Sequence, residues 1–257
     1  MDSVMKATGT GETRVERIRV AGIPIDNVPE QDLPSVVESI ASSKDIGQVV
    51  FLRLWDLMRA RRSREFRACL EAAALVIPVS IGIVRGARFL KKSVPPRYMP
   101  FEFVVRALGA LEPRNRSVYV IGGDQKTVTT VEHNVKRTFP GVRLVGRYSG
   151  LYPRSLEADI LTGIKKAAPN LVFAGHGLRG KNLWIHRHRA SFHGGMFLWS
   201  SEVFEQFADK ARRPSRRSFQ NGTDLWPSFF RRPWRVLRIP VYVWYCLVLV
   251  VHRIRGL

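Results

Sequence analysis

The chain predicts an α/β fold, and three observations carry that expectation. Apolar runs of four to six residues alternate with helical patterns of ten to fifteen, the signature of strands and helices taking turns along a mostly parallel sheet. Two of the runs end in glycine turns, Gly122-Gly123-Asp124 after SVYVI and Gly175-His176-Gly177 after LVFA, where backbone can approach a neighbour or a ligand closely. The 257 residues are 45% hydrophobic, enough to bury a core, which excludes disorder of the whole chain.

In order, residues 1–15 are polar and Gly/Thr-rich and read as a disordered leader. VERIRVAGIPIDNV reads as a strand running into a Pro/Asp turn. A helix follows over Glu30 to Ser43, with Leu33, Val36, Val37 and Ile40 on one face. QVVFLRLW is a strand, Asp56 to Ala74 a helix, LVIPV a buried strand, Ile81 to Leu90 a helix, and PRYMPFEFVVRALGAL another. SVYVIGG, GVRLVGRYSG and NLVFAGHG are strands, with helices over Lys126 to Thr138, Ser155 to Ala168 and Lys181 to Ala190. The resulting expectation is a Rossmann-like sheet flanked by helices over residues 16–209, followed by a basic, aromatic segment over 210–257.

Charge marks that last segment. The chain carries 42 Lys+Arg against 21 Asp+Glu, a net +21, which calls for a polyanionic partner. From Lys210 onward eleven basic residues face one acid, Asp224, so about half the excess sits in the last fifth of the chain. Aromatic residues are interleaved with it, and Ile239 to Val251 is an unbroken apolar run of thirteen. As a helix it would reach about 20 Å, short of the roughly 30 Å of bilayer hydrocarbon. An interfacial amphipathic helix at an anionic membrane surface fits better; a buried terminal helix or strand is the alternative. Nucleic acid ranks last as a partner, because the apolar run has no role in it. Two distant cysteines, Cys69 and Cys246, suggest neither a disulfide framework nor a zinc site, and the N-terminus lacks the apolar core of a secretory signal.

Gly175, Gly177 and Gly180 spell G-x-G-x-x-G between a strand and a helix. A dinucleotide site is disfavoured, because the pattern lies two-thirds along the chain and the nearest acid downstream is Glu202. A loop cradling another phosphate-bearing ligand is the stronger expectation. His186, His188 and His193 alternate with arginines and read as a solvated basic helix, with no metal site.

Over roughly residues 18 to 235 the chain resembles the WecG/TagA/CpsF family of bacterial glycosyltransferases. The matching segments are GIPIDNV (Gly22 to Val28), Arg97 with Glu102 in RYMPFEF, VYVIGGD (Val118 to Asp124), FPGVRLVGRYSGLY (Phe139 to Tyr152), APNLVFAGHG (Ala168 to Gly177) with Trp184, and GGMF (Gly194 to Phe197). The resemblance implies transfer of N-acetylmannosamine or a related sugar from a UDP donor to a polyprenyl-diphosphate-linked acceptor, with no cofactor or metal. It also implies peripheral attachment to the cytoplasmic face of the membrane through the C-terminal appendage; homo-oligomerisation is left open.

The chain departs from the family pattern at its chemical positions. Phe51 and Arg53 stand in place of a Thr-x-Asn pair, and Pro78-Val79-Ser80 in place of Pro-Asp-Gly with its catalytic carboxylate. Lys181 and Asn182 stand in place of a Gln-Glu pair. A valine cannot accept a proton, so Glu102 and Asp124 become the candidate catalytic carboxylates, and a catalytically silent protein that binds a lipid-linked sugar or a partner transferase is the alternative. Arg53, Arg97, Gly122, Gly123, Asp124, Gly175, Gly177 and Lys181 are the expected substrate-binding residues, and Arg231, Arg232, Trp234, Arg235 and Arg238 are expected to meet lipid headgroups or the lipid-linked diphosphate.

Overall fold

A computed structural model of the chain describes residues 4–5, 15–213, 215–221 and 239–255. Of the leader, Val4–Met5 (β1) pairs with the next strand, and the rest lies outside the described residues. Glu16–Val20 (β2) and Ile23–Asn27 (β3) form an antiparallel hairpin. The expectation of one strand running into a Pro/Asp turn is thereby corrected. The turn is Ala21-Gly22, both at positive φ, and Pro24 is tolerated because β3 is an edge strand. Asp26 fastens this hairpin to the main sheet. Its carboxylate accepts from Arg17 at 2.7 and 2.8 Å and from the Val76 backbone N–H at 2.6 Å, and Arg17 also donates to the Ala73 carbonyl.

After helix α1 (Leu33–Ala41) the main sheet begins with β4 (Ile46–Leu52). It continues through α2 (Leu54–Ala60), α3 (Arg64–Ala72), β5 (Leu75–Pro78), α4 (Ile81–Phe89), α5 (Pro100–Leu111) and β6 (Ser117–Ile121). Then come α6 (Gln125–Thr138), β7 (Arg143–Tyr148), α7 (Glu157–Ala167), β8 (Leu171–Ala174), α8 (Asn182–Arg187), β9 (Gly195–Trp199) and α9 (Ser201–Phe207). The six strands are all parallel, in the order β5-β4-β9-β8-β6-β7. Every strand therefore ends at the same edge, where ligands bind in open α/β sheets.

Both faces of the sheet are covered, which is why its central strands read as continuous apolar runs rather than alternating ones. Val49, Leu75, Ile77, Val118, Val120, Leu171, Phe173, Met196 and Leu198 pack with α1, α5, α6 and α9. Their neighbours in sequence point the other way: Val50, Leu52 and Val76 toward the hairpin, α2, α3 and α4, and Tyr119, Ile121, Val172, Ala174 and Phe197 toward α7 and α8.

Several boundaries differ from expectation for local reasons. The single helix expected over Asp56 to Ala74 is two, because Ser63 caps a new start, its Oγ accepting from Phe66 N–H at 3.2 Å. The helix at 181–190 is shorter, and it is not a solvated one: Asn182, Leu183, Trp184 and Ile185 are buried, and Trp184 Nε1 donates to Glu157 at 2.8 Å. GGMF was a motif without an assigned element; it is β9, in the middle of the sheet.

At the C-terminus, α10 (Arg216–Asn221) precedes α11 (Ile239–Ile254), so the apolar run is helical. Residues 222–238, including Arg231, Arg232, Trp234, Arg235 and Arg238, lie outside the described residues. Helix α11 docks on α2 and α4 through Tyr245, Val248 and Leu249. The Tyr245 hydroxyl donates to the Gly82 carbonyl at 3.1 Å and occupies the space a Cβ at Gly86 would need. Its opposite side, Val243, Trp244, Leu247, Val250, Val251 and Ile254, is exposed. No described helix is long and apolar enough to cross a membrane.

Candidate active site at the carboxyl ends of the strands

The loops leaving β6, β7 and β8 are laced together through glycine. Gly122 N–H donates to the Tyr148 carbonyl (3.1 Å), Gly123 N–H to His176 (2.8 Å), Gly150 N–H to Gly123 (2.8 Å) and Gly175 N–H to Ile121 (2.8 Å). A Cβ at Gly122, where φ is +155°, would stand 2.6 Å from the Gly175 Cα, and one at Gly177 2.6 Å from the Gly150 carbonyl carbon. The close approach these glycines permit is thus first to one another. The amides of Gly122, Gly123 and Gly175 are already spent, so a ligand here meets the side chains and remaining backbone groups around them.

Asp124 follows as the N-cap of α6. Its Oδ1 accepts from Thr127 N–H at 2.7 Å and from the Thr127 hydroxyl at 2.5 Å, and Lys210 Nζ is 3.6 Å from Oδ2. These hydrogen bonds, with the lysine behind them, hold its pKa down at about 2. A carboxylate so stabilised is a poor proton acceptor.

His176 lies between these loops. Its ring borders Gly123, its Nδ1 is buried without a hydrogen-bond partner, and that nitrogen is 3.7 Å from Glu205 Oε1 on α9. Sequence reasoning named His176 only as part of a glycine turn. The partner it lacked, Glu205, is 29 positions downstream and reaches it only through the β8-β9 pairing.

Across the sheet, the ends of β4 and β5 have a different character. Val79 N–H donates to the Leu52 carbonyl at 2.9 Å, and Ser80 Oγ accepts from Leu54 N–H at 3.0 Å. Above them Val79, Met99 and Phe219 of α10 form an apolar cluster against Phe51. Arg97 seals it: Nε donates to the Val79 carbonyl at 2.6 Å, Nη1 to the Phe219 carbonyl, and the guanidinium lies 3.8 Å from the Phe219 ring centroid. Phe51 and Val79 are together the socket for Phe219.

Glu102, on the first turn of α5, is brought into neither constellation. It lines a cavity of about 260 Å³ with Met99, Phe101, Val105, Arg106, Arg213 and Arg216, and lies 3.8 Å from Arg216. Arg53 at the end of β4 pairs with Glu202 at the start of α9, and Lys181, with φ +58°, has Nζ 5.7 Å from the Trp199 ring centroid. Trp199 Nε1 in turn donates to the Gly175 carbonyl at 2.7 Å. Asp56, one turn into α2, has its pKa raised by burial, against the opposing fields of Arg53, Arg59 and Lys181; nothing in the sequence singled it out. Among the described residues no group of three or more His, Cys, Asp or Glu is placed to hold a metal.

The family model for WecG/TagA/CpsF glycosyl transferases matches residues 18–256. An N-acetylglucosaminyldiphosphoundecaprenol N-acetyl-β-D-mannosaminyltransferase of Bacillus spizizenii is 23% identical over 187 residues, 72% of each chain. The enzyme of the same name from Staphylococcus aureus is 16% identical over 199 residues, 77% of this chain and 78% of its own. With a parallel sheet in place and the match running over nearly its whole length, this chain belongs to the WecG/TagA/CpsF family of glycosyltransferases.

Proposed function

We propose that the protein transfers a sugar of the N-acetylmannosamine type from a UDP donor to a polyprenyl-diphosphate-linked acceptor, working peripherally at the cytoplasmic face of the membrane. The observation that carries this reading is the shared edge of the sheet, where Arg53, Lys181 and the glycine loops converge. Arg53 and Lys181 would hold diphosphate as fixed charges, the interlocked loops of Gly122, Gly123, Gly175 and Gly177 would frame the donor with the side chains around them, and Asp124 would hold the α6 end in place. Arg97 and Glu102 would shape the acceptor side, with the tail arginines and Trp234 toward lipid headgroups.

The exposed apolar side of α11, together with Phe89 and Trp55, supports membrane contact. At 16 residues α11 has the length of an interfacial helix rather than of a span. Purified protein incubated with UDP-N-acetylmannosamine, UDP-N-acetylglucosamine or UDP-glucose and a short polyprenyl-diphosphate N-acetylglucosamine acceptor is expected to yield a disaccharide lipid with one of them. Donor binding without turnover across the panel would instead establish the silent reading, which the apolar filling of the β4–β5 end favours. Flotation with anionic vesicles, expected for the wild type and weakened at least tenfold in a Leu247→Asp, Val250→Asp variant, tests the membrane contact. Competition by DNA that vesicles cannot relieve would move the basic tail to nucleic acid.

A further inference from the structure

Where the family resemblance implies a catalytic carboxylate this chain has Val79, and it packs against Phe219, so transfer needs another group to take the acceptor's proton. Asp124 is held ionised by its cap and Lys210, and Glu102 faces Arg216 away from the glycine loops. His176 is different in three respects. It sits on the loop after β8, at the centre of the laced edge, with its carbonyl bound by Gly123 N–H. Its Nδ1 is sealed and turned to Glu205 at 3.7 Å. Its side chain nevertheless keeps 34% of its surface exposed, and Nε2, unlike Nδ1, is not buried without a partner, so Nε2 is the nitrogen with access from outside.

A histidine with one nitrogen backed by a carboxylate and the other open is arranged to accept a proton and to be stabilised once it has done so. The 3.7 Å separation exceeds a hydrogen bond, but such contacts commonly tighten when substrate closes the site.

We propose that His176 is the general base of this protein and Glu205 the residue that positions it; the inference rests on the transferase reading above. In the step, the acceptor hydroxyl oxygen bonds to the donor's anomeric carbon as that carbon's bond to the diphosphate oxygen breaks. The bonding pair leaves with UDP, and the hydroxyl proton passes to His176 Nε2 and from there to water. Glu205 balances the imidazolium charge while it exists.

The test is steady-state transfer by full-length wild type, His176→Ala, His176→Gln and Glu205→Gln, with UDP-N-acetylmannosamine and the short polyprenyl acceptor, alongside calorimetric binding of the donor. Expected are a fall in kcat of about 10²–10³-fold for His176→Ala, donor affinity within about threefold of wild type, and a partial recovery of about tenfold on adding imidazole, which fits the space vacated by the ring. His176→Gln, which keeps the ring's bulk without a base, is expected to be as slow and not to be rescued. Glu205→Gln is expected to lower kcat about tenfold at unchanged KM and to shift the His176 ring nitrogen resonances. Near-normal turnover by either His176 variant, or loss of donor binding in step with turnover and no imidazole rescue, overturns the assignment while leaving the transferase reading intact. Absence of transfer by the wild type with every donor overturns both.

Discussion

The two halves of the strand-end edge differ in what fills them. At the β6–β8 half, glycine loops interlock and polar groups surround them: Asp124 on its cap, Lys210 behind it, His176 against Glu205. At the β4–β5 half, Phe51 and Val79 present an apolar surface, and Phe219 and Arg97 fill what lies above. The contrast teaches that one parallel edge carries two environments: backbone held by glycine packing at one half, and an apolar plug at the other. The first fixes where backbone groups lie; the second fixes what can approach them.

The largest effect in prospect comes from breaking the glycine half. Gly122→Ala would drive a methyl group to 2.6 Å from the Gly175 Cα at a backbone conformation that L-residues rarely adopt, and is expected to cost about 3 kcal/mol or more of unfolding free energy, read by chemical denaturation. A loss under about 1 kcal/mol would mean that the loops can part, and that they are not the rigid half.

The apolar half is expected to respond next. Phe219→Ala removes a ring that is 4% exposed and should weaken the docking of α10 by about 2–4 kcal/mol, seen as faster hydrogen exchange in α10 with the sheet unaffected. Val79→Asp, which returns a carboxylate beside Arg97, is expected to destabilise by about 1–3 kcal/mol. A rise in transfer rate in that variant would show that the filled half still receives substrate.

Smaller effects sharpen the comparison. Asp124 has its pKa lowered to about 2, chiefly by its Thr127 hydrogen bonds. Its stabilising contribution is therefore complete above the ordinary carboxylate value near 3.8 and disappears as pH falls through about 2. Asp124→Ala is expected to lower Tm by about 2–4 °C at pH 7, with the difference closing as pH approaches 2; a difference unchanged with pH would deny the cap. The cysteines give the mildest probe. Burial pushes the Cys69 thiol up to about 12, whereas Cys246 is exposed on α11, so a disulfide reagent at pH 8 is expected to label one thiol per folded chain. Anionic vesicles should slow that labelling if α11 meets the membrane.

Much of the fold was legible because its signals are local. Apolar runs marked β4, β5, β6 and β8, the last two by their glycine turns as well, and the 3.6-residue spacing of Leu33, Val36, Val37 and Ile40 marked α1. The hairpin was misread because Pro24 and Asp26 look like a turn unless the edge position of β3 and the Val76 N–H awaiting Asp26 are known. The helix at 181–190 looked solvated because the burial of Trp184 and Ile185 depends on α7, on the sheet and on the Glu157 acceptor.

For the site, the glycine turns and the family positions could be read from residue order alone, since both are patterns along the chain. By itself the sequence determined the α/β class and the family. Only the tertiary structure decided that Asp124 is held as a cap, that Phe219 fills the place over Val79, and that Glu205 stands behind His176. The reason is physical: strand and turn signals arise from neighbours along the chain, whereas the state of a titratable group is set by what the sheet brings beside it from tens of residues away.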